Sequence, residues 1–190
     1  MADFDLAFSI TSDHEGGYVS DPDDAGGETY RGIARRYHPS WSGWKIIDDL
    51  KKINPSNLNN TLKSNDGLNE AVKRYYKQFY WDRFWGDSIP LQSIANELFD
   101  TSVNLGVRRS VKYLQEGLNL LNRNQEIYTD ISVDGFFGPG TLKALNRYLA
   151  LDDDTPLIKL MNTLQGMHYI KYMRQNPTQE KYARGWLKRA

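Results

Sequence analysis

Hydrophobic residues recur every three or four positions in several stretches of the chain, which is the spacing of an amphipathic α-helix. The first stretch covers residues 3–15 and stops at Gly16-Gly17, where glycine can adopt the left-handed backbone that ends a helix. Further helices are predicted from Gly67 to Tyr80, from Pro90 to Leu105, from Val111 to Leu121, after Gly138, and from Pro156 to Asn176.

Residues 18–33 follow a different pattern. Proline and glycine interrupt this segment, and its strand-like pairs are Tyr18-Val19 and Thr29-Tyr30, so we expect a small irregular β-hairpin. Residues 34–65 show no clear period. The pattern therefore predicts a mainly α fold of the α+β type, with a helical core and a small N-terminal β-hairpin lobe.

Composition limits the kinds of domain and site that the chain can form. The 190 residues suffice for one compact domain or two small lobes, and aromatic residues reach 13%, which suits either a core or a sugar-binding groove. The absence of cysteine excludes disulfides and thiolate zinc sites. The three histidines are scattered, so we predict neither a metal site nor a cofactor.

Charge is distributed unevenly along a chain whose net charge is zero. Residues 1–30 carry eight acidic and no basic residues, whereas residues 158–190 carry seven Lys or Arg and one Glu. This pattern indicates either solvated helix faces or a basic C-terminal surface that meets an anionic polymer. No nucleic-acid motif is visible, so we expect no nucleic-acid partner.

Targeting signals are also missing from the pattern. The sequence contains no run of about 18 apolar residues, so we expect no membrane insertion. It also lacks the basic segment followed by an apolar run that is typical of a Sec signal. We expect a monomer that is made in the cytoplasm; if its substrate lies outside the membrane, release or secretion must depend on another system.

The candidate chemistry lies in HEGGYVSDPDDAGGETYRGI, residues 14–33, where Glu15 follows the first helical stripe. The negative end of a helix dipole and partial burial both raise the pKa of a carboxyl group. A carboxylic acid that stays protonated near neutral pH can donate the proton that a leaving sugar oxygen requires. The hairpin adds Asp24 and Thr29 as groups to position a water, although Asp24 in an Asx-rich turn is the structural alternative.

Several motifs resemble those of the glycoside hydrolase family 108 muramidases. The N-terminal motif is Glu-Gly-Gly-Tyr, Asp-Pro-x-Asp, Gly-Gly-x-Thr and Gly-Ile within residues 15–33; the aromatic segment YWD with WG and the helix ANELFDTSVNLG continue the likeness. Residues 114–189, with VDG, GPxT and GWLxR, resemble the peptidoglycan-binding domain that follows in that family. We therefore predict a muramidase domain over 1–104 and a helical peptidoglycan-binding domain over 105–190.

The resemblance implies a lysozyme-like fold that hydrolyses the β-1,4 bond between N-acetylmuramic acid and N-acetylglucosamine in peptidoglycan. Glu15 is similar in position to the family's catalytic acid, and Asp24 and Thr29 to its water-handling residues. Substrate contacts are predicted from Tyr18, Glu28, Tyr30, Arg31, Trp81 and Trp85.

Three of these residues have an alternative role. Arg31 departs from the smaller or polar residue expected there, and it can either pair with Asp24 or contact a stem-peptide carboxylate. Trp81 and Trp85 are either core residues or cleft walls.

The function has alternatives as well. A lytic transglycosylase uses one Glu and forms a 1,6-anhydro sugar, and a non-catalytic wall-binding module would keep only the C-terminal domain active. The loop at Asp134–Pro139 either binds the wall or caps the next helix. The biological origin is also open: the protein is a bacteriolytic phage endolysin, the product of a prophage gene or a secretion-system effector.

Overall fold

The structure, a computed structural model, describes residues 1–12, 16–20, 27–53 and 55–190. Its helices are α1 (Phe4–Ser12), α2 (Gly43–Ile53), α3 (Leu58–Lys63), α4 (Asp66–Tyr76), α5 (Gln92–Leu105), α6 (Val107–Leu120), α7 (Pro139–Leu149), α8 (Thr155–Gln175) and α9 (Ala183–Trp186). A π-helical turn, Lys77–Trp81, and short 3-10 turns at Pro55–Asn57, Asp82–Phe84, Gly86–Ser88 and Pro177–Tyr182 complete the helical segments of these ranges.

A small antiparallel sheet interrupts the helices. It consists of β1 (Tyr18–Ser20), β2 (Glu28–Tyr30) and β3 (Ile33–Ala34), in that order. Tyr30 pairs with Tyr18 on one side and with Ile33 on the other. The predicted fold class, mainly α and lysozyme-like with a small N-terminal β lobe, is confirmed.

The chain forms two compact units, and the division falls inside α1. Unit 2 comprises Phe8–Phe79, and its core is made by the sheet, α2, α3 and α4. Its fully or nearly fully buried side chains are Tyr30, Ile33, Trp44, Ile47, Leu62, Leu68, Val72, Tyr75 and Tyr76.

Unit 1 combines Met1–Ala7 with Tyr80–Ala190. The short N-terminal segment docks through backbone and side chain: the Ala2 amide donates to the Ile89 carbonyl at 2.9 Å, and Gln92 hydrogen-bonds to both the amide and the carbonyl of Asp3. Phe4 packs edge-on against Trp81 and Phe99, with ring centroids 5.6 and 5.7 Å apart. Residues 1–7 are therefore part of the core built by the last 111 residues.

Helices α5, α6 and α8 form the centre of unit 1. Leu91 has an extended backbone, so α5 begins two residues after Pro90, where the sequence predicted its start. Within α5 the Thr101 hydroxyl donates to Glu97 at 3.0 Å. Across the α5–α8 contact the Asn162 amide, oriented to donate, lies 2.9 Å from each Glu97 oxygen. Burial raises the pKa of Glu97 to about 7.

The loop between α6 and α7 is closed around a single buried amide, Gln115. Its carbonyl accepts from the Gly135 amide at 2.8 Å, and its nitrogen lies 3.0 Å from an Asp134 oxygen and 3.1 Å from the Thr141 hydroxyl. Gly135 has φ 79°, and a Cβ there would lie 2.5 Å from the Arg108 carbonyl. The glycine-rich motif therefore has a structural role: it lets the loop close around Gln115.

Candidate functional site

A polar cavity of about 560 Å³ lies in unit 2 beside the sheet. Its walls come from the end of α1, the start of β1, the β2–β3 turn, and helices α3 and α4. The described lining residues are Ser12, Gly16, Gly17, Tyr18, Tyr30, Arg31, Asn59, Asn60, Lys63 and Asn69. Amide, hydroxyl, ammonium and guanidinium groups therefore surround it, as a polyhydroxyl ligand with carboxylates would require.

The segment Gly16–Tyr18 is fixed against α3 by one asparagine. The Tyr18 amide donates to the Asn59 side-chain oxygen at 2.8 Å, and the Asn59 nitrogen lies 3.4 Å from the Tyr18 carbonyl. A Cβ on Gly17 would lie 2.8 Å from the same Asn59 oxygen, so glycine allows this close approach. The two residues that follow Glu15 in the chain are consequently held in the cavity wall.

Arg31 and Gly32 form the two-residue turn between β2 and β3. Both have positive φ, 44° and 77°, as a type I′ hairpin turn requires. The left-handed backbone costs a non-glycine residue about 1–2 kcal/mol. The Tyr76 hydroxyl donates to the Arg31 carbonyl at 2.8 Å, and the guanidinium lies 6.0 Å from the Phe8 ring centroid, so α4 and α1 hold the turn.

Glu28 is the centre of a charged cluster that joins the sheet to α2. It accepts from the Tyr18 hydroxyl and from Arg35, and it pairs with Lys51. Its side chain is 16% exposed. Arg35 also donates to both oxygens of Asp48. The carboxylate and the Tyr18 hydroxyl, both predicted to contact substrate, are therefore engaged within the protein.

The electrostatics of this cluster follow from its contacts. Hydrogen bonding to Arg35 holds the pKa of Asp48 below its usual value, and the same bond raises the pKa of Arg35. Burial lowers the pKa of Lys51, whose ammonium lies 4.8 Å from the Tyr18 ring centroid. The Tyr18 side chain, which lines the cavity, is thus in contact with a cation.

Of the three predicted catalytic residues, the structure describes Thr29, whereas Glu15 and Asp24 lie outside the described residues. Thr29 is the central residue of β2 and pairs with Val19 and Ala34, so alternation puts it on the face opposite Glu28 and Tyr30. Val19 on that face is 52% exposed. The role of Thr29 stays a prediction.

The predicted tryptophans belong to unit 1. Trp81 has no exposed surface; it donates to Asp87 at 2.7 Å and packs against Phe84, so it occupies the core position that the sequence kept as its alternative. A ring without accessible surface cannot stack on a sugar. Trp85 is 40% exposed with φ 54°, and its ring lies 5.8 Å from that of Phe137.

The polar residues of α3 and α4 that line the cavity were not found from the sequence. Asn59, Asn60, Lys63 and Asn69 lie in or near the stretch without a clear hydrophobic period. An Asn-rich run at residues 57–60 is the signal that could have drawn attention to them, although such a run is also typical of turns.

Comparison with known proteins decides the family. The family model described as "Glycosyl hydrolase 108" matches residues 8–106, slightly more than half of the chain. The chain belongs to glycosyl hydrolase family 108. A second model, "Predicted Peptidoglycan domain", matches residues 109–190. The two matches identify this family 108 protein as a glycoside hydrolase that acts on peptidoglycan.

A solved structure supports the fold. The chain is similar to SagA of Brucella abortus, with 22% sequence identity and a TM-score of 0.59 over 98% of this chain and 88% of that one. No curated protein matches the sequence. The domain limits predicted at 104/105 remain a prediction beside these matched ranges.

The described ranges of this family 108 chain lack two features. None of their helices has the length and apolar content needed to cross a bilayer. Among the same residues, no three His, Asp or Glu side chains are grouped so that they could hold a metal ion.

Proposed function

We propose that this family 108 protein is an N-acetylmuramidase that hydrolyses the β-1,4 bond between N-acetylmuramic acid and N-acetylglucosamine, with Glu15 as the general acid. The observation that carries the proposal is the position of Gly16 and Gly17 in the wall of the polar cavity, within the family 108 match. Glu15 precedes them directly in the chain.

The proposed chemistry assigns one task to each group. Glu15 protonates the glycosidic oxygen as the bond to the anomeric carbon breaks, and a water adds to that carbon and releases its proton to Asp24 or to the Glu15 carboxylate. Asp24 and Thr29 orient this water or stabilise the positive charge that develops on the sugar. Lys63 and Arg31, both in the cavity wall, bind carboxylates of the substrate and align the strand.

The test is a digest of purified peptidoglycan with mass spectrometry of the released fragments. We expect the wild type to release fragments with reducing N-acetylmuramic acid ends, and Glu15→Gln to lose at least about a hundredfold in rate because general acid catalysis is removed. The matched control is Glu70→Gln, an exposed glutamate of α4, which should retain wild-type activity.

Other products would overturn the proposal in defined ways. Reducing N-acetylglucosamine ends would assign cleavage to the other glycosidic bond, and 1,6-anhydro ends would assign a lytic transglycosylase. Unchanged activity in Glu15→Gln would remove Glu15 from the mechanism. Binding of the wild type to the wall without any released fragment would leave a non-catalytic binding module.

A further inference from the structure

A second cavity, of about 360 Å³, lies in unit 1 where the junction of α5 and α6 faces α8 and the C-terminal segment. It is separate in sequence from the cavity beside the sheet, and its lining residues include Asn104, Arg109, His168, Tyr172 and Trp186. Most of them fall within or at the edge of the region matched as a peptidoglycan domain.

One wall of this cavity is a layered set of rings. Tyr169 and Trp186 stack with centroids 5.2 Å apart and planes 18° apart, and the ring of Tyr172 lies 5.9 Å from Trp186. His168 stacks parallel to Tyr172 at 6.4 Å. Tyr169 is buried and its hydroxyl accepts from Gln165 at 3.1 Å, whereas Tyr172 is 40% exposed. A buried ring thus supports exposed ones, as stacking on a pyranose requires.

The polar side of the cavity is cationic. The Arg109 guanidinium donates to the Leu105 carbonyl at 3.2 Å, and within the described ranges no carboxylate forms an ion pair with it. Burial lowers the pKa of His168, and the charges of Arg109 and Lys171 lower it further. Arg109 therefore offers donors to an anionic group of a ligand.

A neighbouring cavity shares a wall residue with this one. His168 also lines a neighbouring cavity of about 730 Å³ along α8, whose walls include Tyr113, Met167, Lys171 and Arg174. We call these two cavities, which share His168 as a lining residue, the α8 groove; it presents aromatic, apolar and basic groups. Such a groove fits an extended polymer that combines sugar rings with carboxylates.

We infer that this groove is the surface through which the C-terminal part of the chain holds a peptidoglycan strand, with a sugar ring on Tyr172 and Trp186 and a carboxylate on Arg109. The inference deepens the proposed function, on which it rests, because it names residues that hold the strand in addition to those that cleave it. Charge complementarity with the wall polymer and the peptidoglycan-domain match select this occupant.

The test measures binding of the full chain to insoluble peptidoglycan and to chitin, a neutral polymer of N-acetylglucosamine, in a Glu15→Gln background at low temperature. We expect Arg109→Ala to weaken binding to peptidoglycan about tenfold without changing binding to chitin. Tyr172→Ala should weaken binding to both polymers, and Tyr172→Phe should retain it because the ring remains. Raising the salt concentration should weaken the peptidoglycan complex alone.

The control variant is Arg147→Ala, an exposed arginine of α7 outside both cavities, which should bind as the background does. Equal binding of peptidoglycan by Arg109→Ala, Tyr172→Ala and the background, with unchanged melting curves, would overturn the inference. A Glu15→Gln protein that still cleaves would instead contradict the proposed function. The two failures are therefore separable.

Discussion

At the scale of single residues, the motif at residues 14–33 could be recognised from the sequence, but the roles of the individual residues within it could not. Glu28 and Tyr18 have the chemistry of sugar-binding residues, yet Glu28 is occupied by Arg35 and Lys51. Both cations come from beyond the motif, and sequence spacing does not show that α2 presents Lys51 to the sheet. Composition alone therefore could not separate a ligand contact from an internal ion pair.

Arg31 allows backbone strain and charge to be tested separately. Because its φ is 44°, Arg31→Gly removes the charge and relieves the strain, whereas Arg31→Ala removes the charge and keeps the strain. We expect both variants to lose about tenfold in kcat/KM on peptidoglycan, and Arg31→Gly to be more stable than Arg31→Ala by about 1 kcal/mol. Turnover assays and urea unfolding provide the two measurements.

Wild-type kcat/KM in both variants would show that the cavity binds substrate without this cation. A loss confined to Arg31→Ala would assign the effect to the turn geometry. Asn60→Ala, which removes a neutral side chain from the same cavity wall, serves as the comparison for a change without loss of charge.

At the scale of secondary-structure elements, helices with a long hydrophobic stripe were predictable and short ones were not. α8 was predicted from Pro156 to Asn176 and runs over Thr155–Gln175, since Pro177 prevents continuation. α2 was missed because its buried apolar face consists mainly of Trp44 and Ile47. α3 buries Leu62 alone, which is too little for a periodic signal.

The contact between α5 and α8 should respond to pH through Glu97. Its pKa is raised to about 7 in the folded protein, so the unfolded chain releases this proton at lower pH than the folded chain does. The contribution to folding stability is therefore full below about pH 4.5 and is lost as the pH rises towards 7, by at most about 3 kcal/mol. The hydrogen bond from Thr101 to the carboxylate already limits the rise in this pKa, and the Asn162 amide, a second donor, reduces the loss further.

Urea unfolding at pH 5 and pH 7.5 measures the effect. Glu97→Gln, which stays neutral, should lose less stability than the wild type between these two values. Asp100, the nearby acid on the same helix, pairs with Arg189 and remains in both proteins. Identical pH dependence in the two proteins would show that Glu97 titrates normally.

At the scale of the whole molecule, the family and fold class followed from sequence motifs, whereas the division into compact units did not. Sequence order places residues 1–7 with the first domain, but their contacts lie with Trp81, Ile89, Gln92 and Phe99. Periodicity identifies the buried face of a helix without identifying which distant element covers it. The position of α1's first turn could therefore be learned only from the three-dimensional structure.

Phe4 is the residue through which this docking should be measurable. Its ring is 8% exposed and packs on two aromatic rings of unit 1, so Phe4→Ala should lower the free energy of unfolding by about 3–5 kcal/mol. Leu6→Ala, at an exposed position of the same helix, should cost less than about 1 kcal/mol. Equal losses in thermal or urea unfolding would contradict the assigned packing.

The docking of residues 1–7 also determines when this segment can fold during synthesis of the chain. The ribosome makes this segment before any residue of its partner, since Ile89, Gln92 and Phe99 are added more than 80 positions later. Phe4 therefore has no native surface to cover until the nascent chain has passed those positions, and a contact this distant in sequence closes slowly. Completion of the unit that contains the peptidoglycan domain thus waits until residues 81–99 are available to residues 1–7.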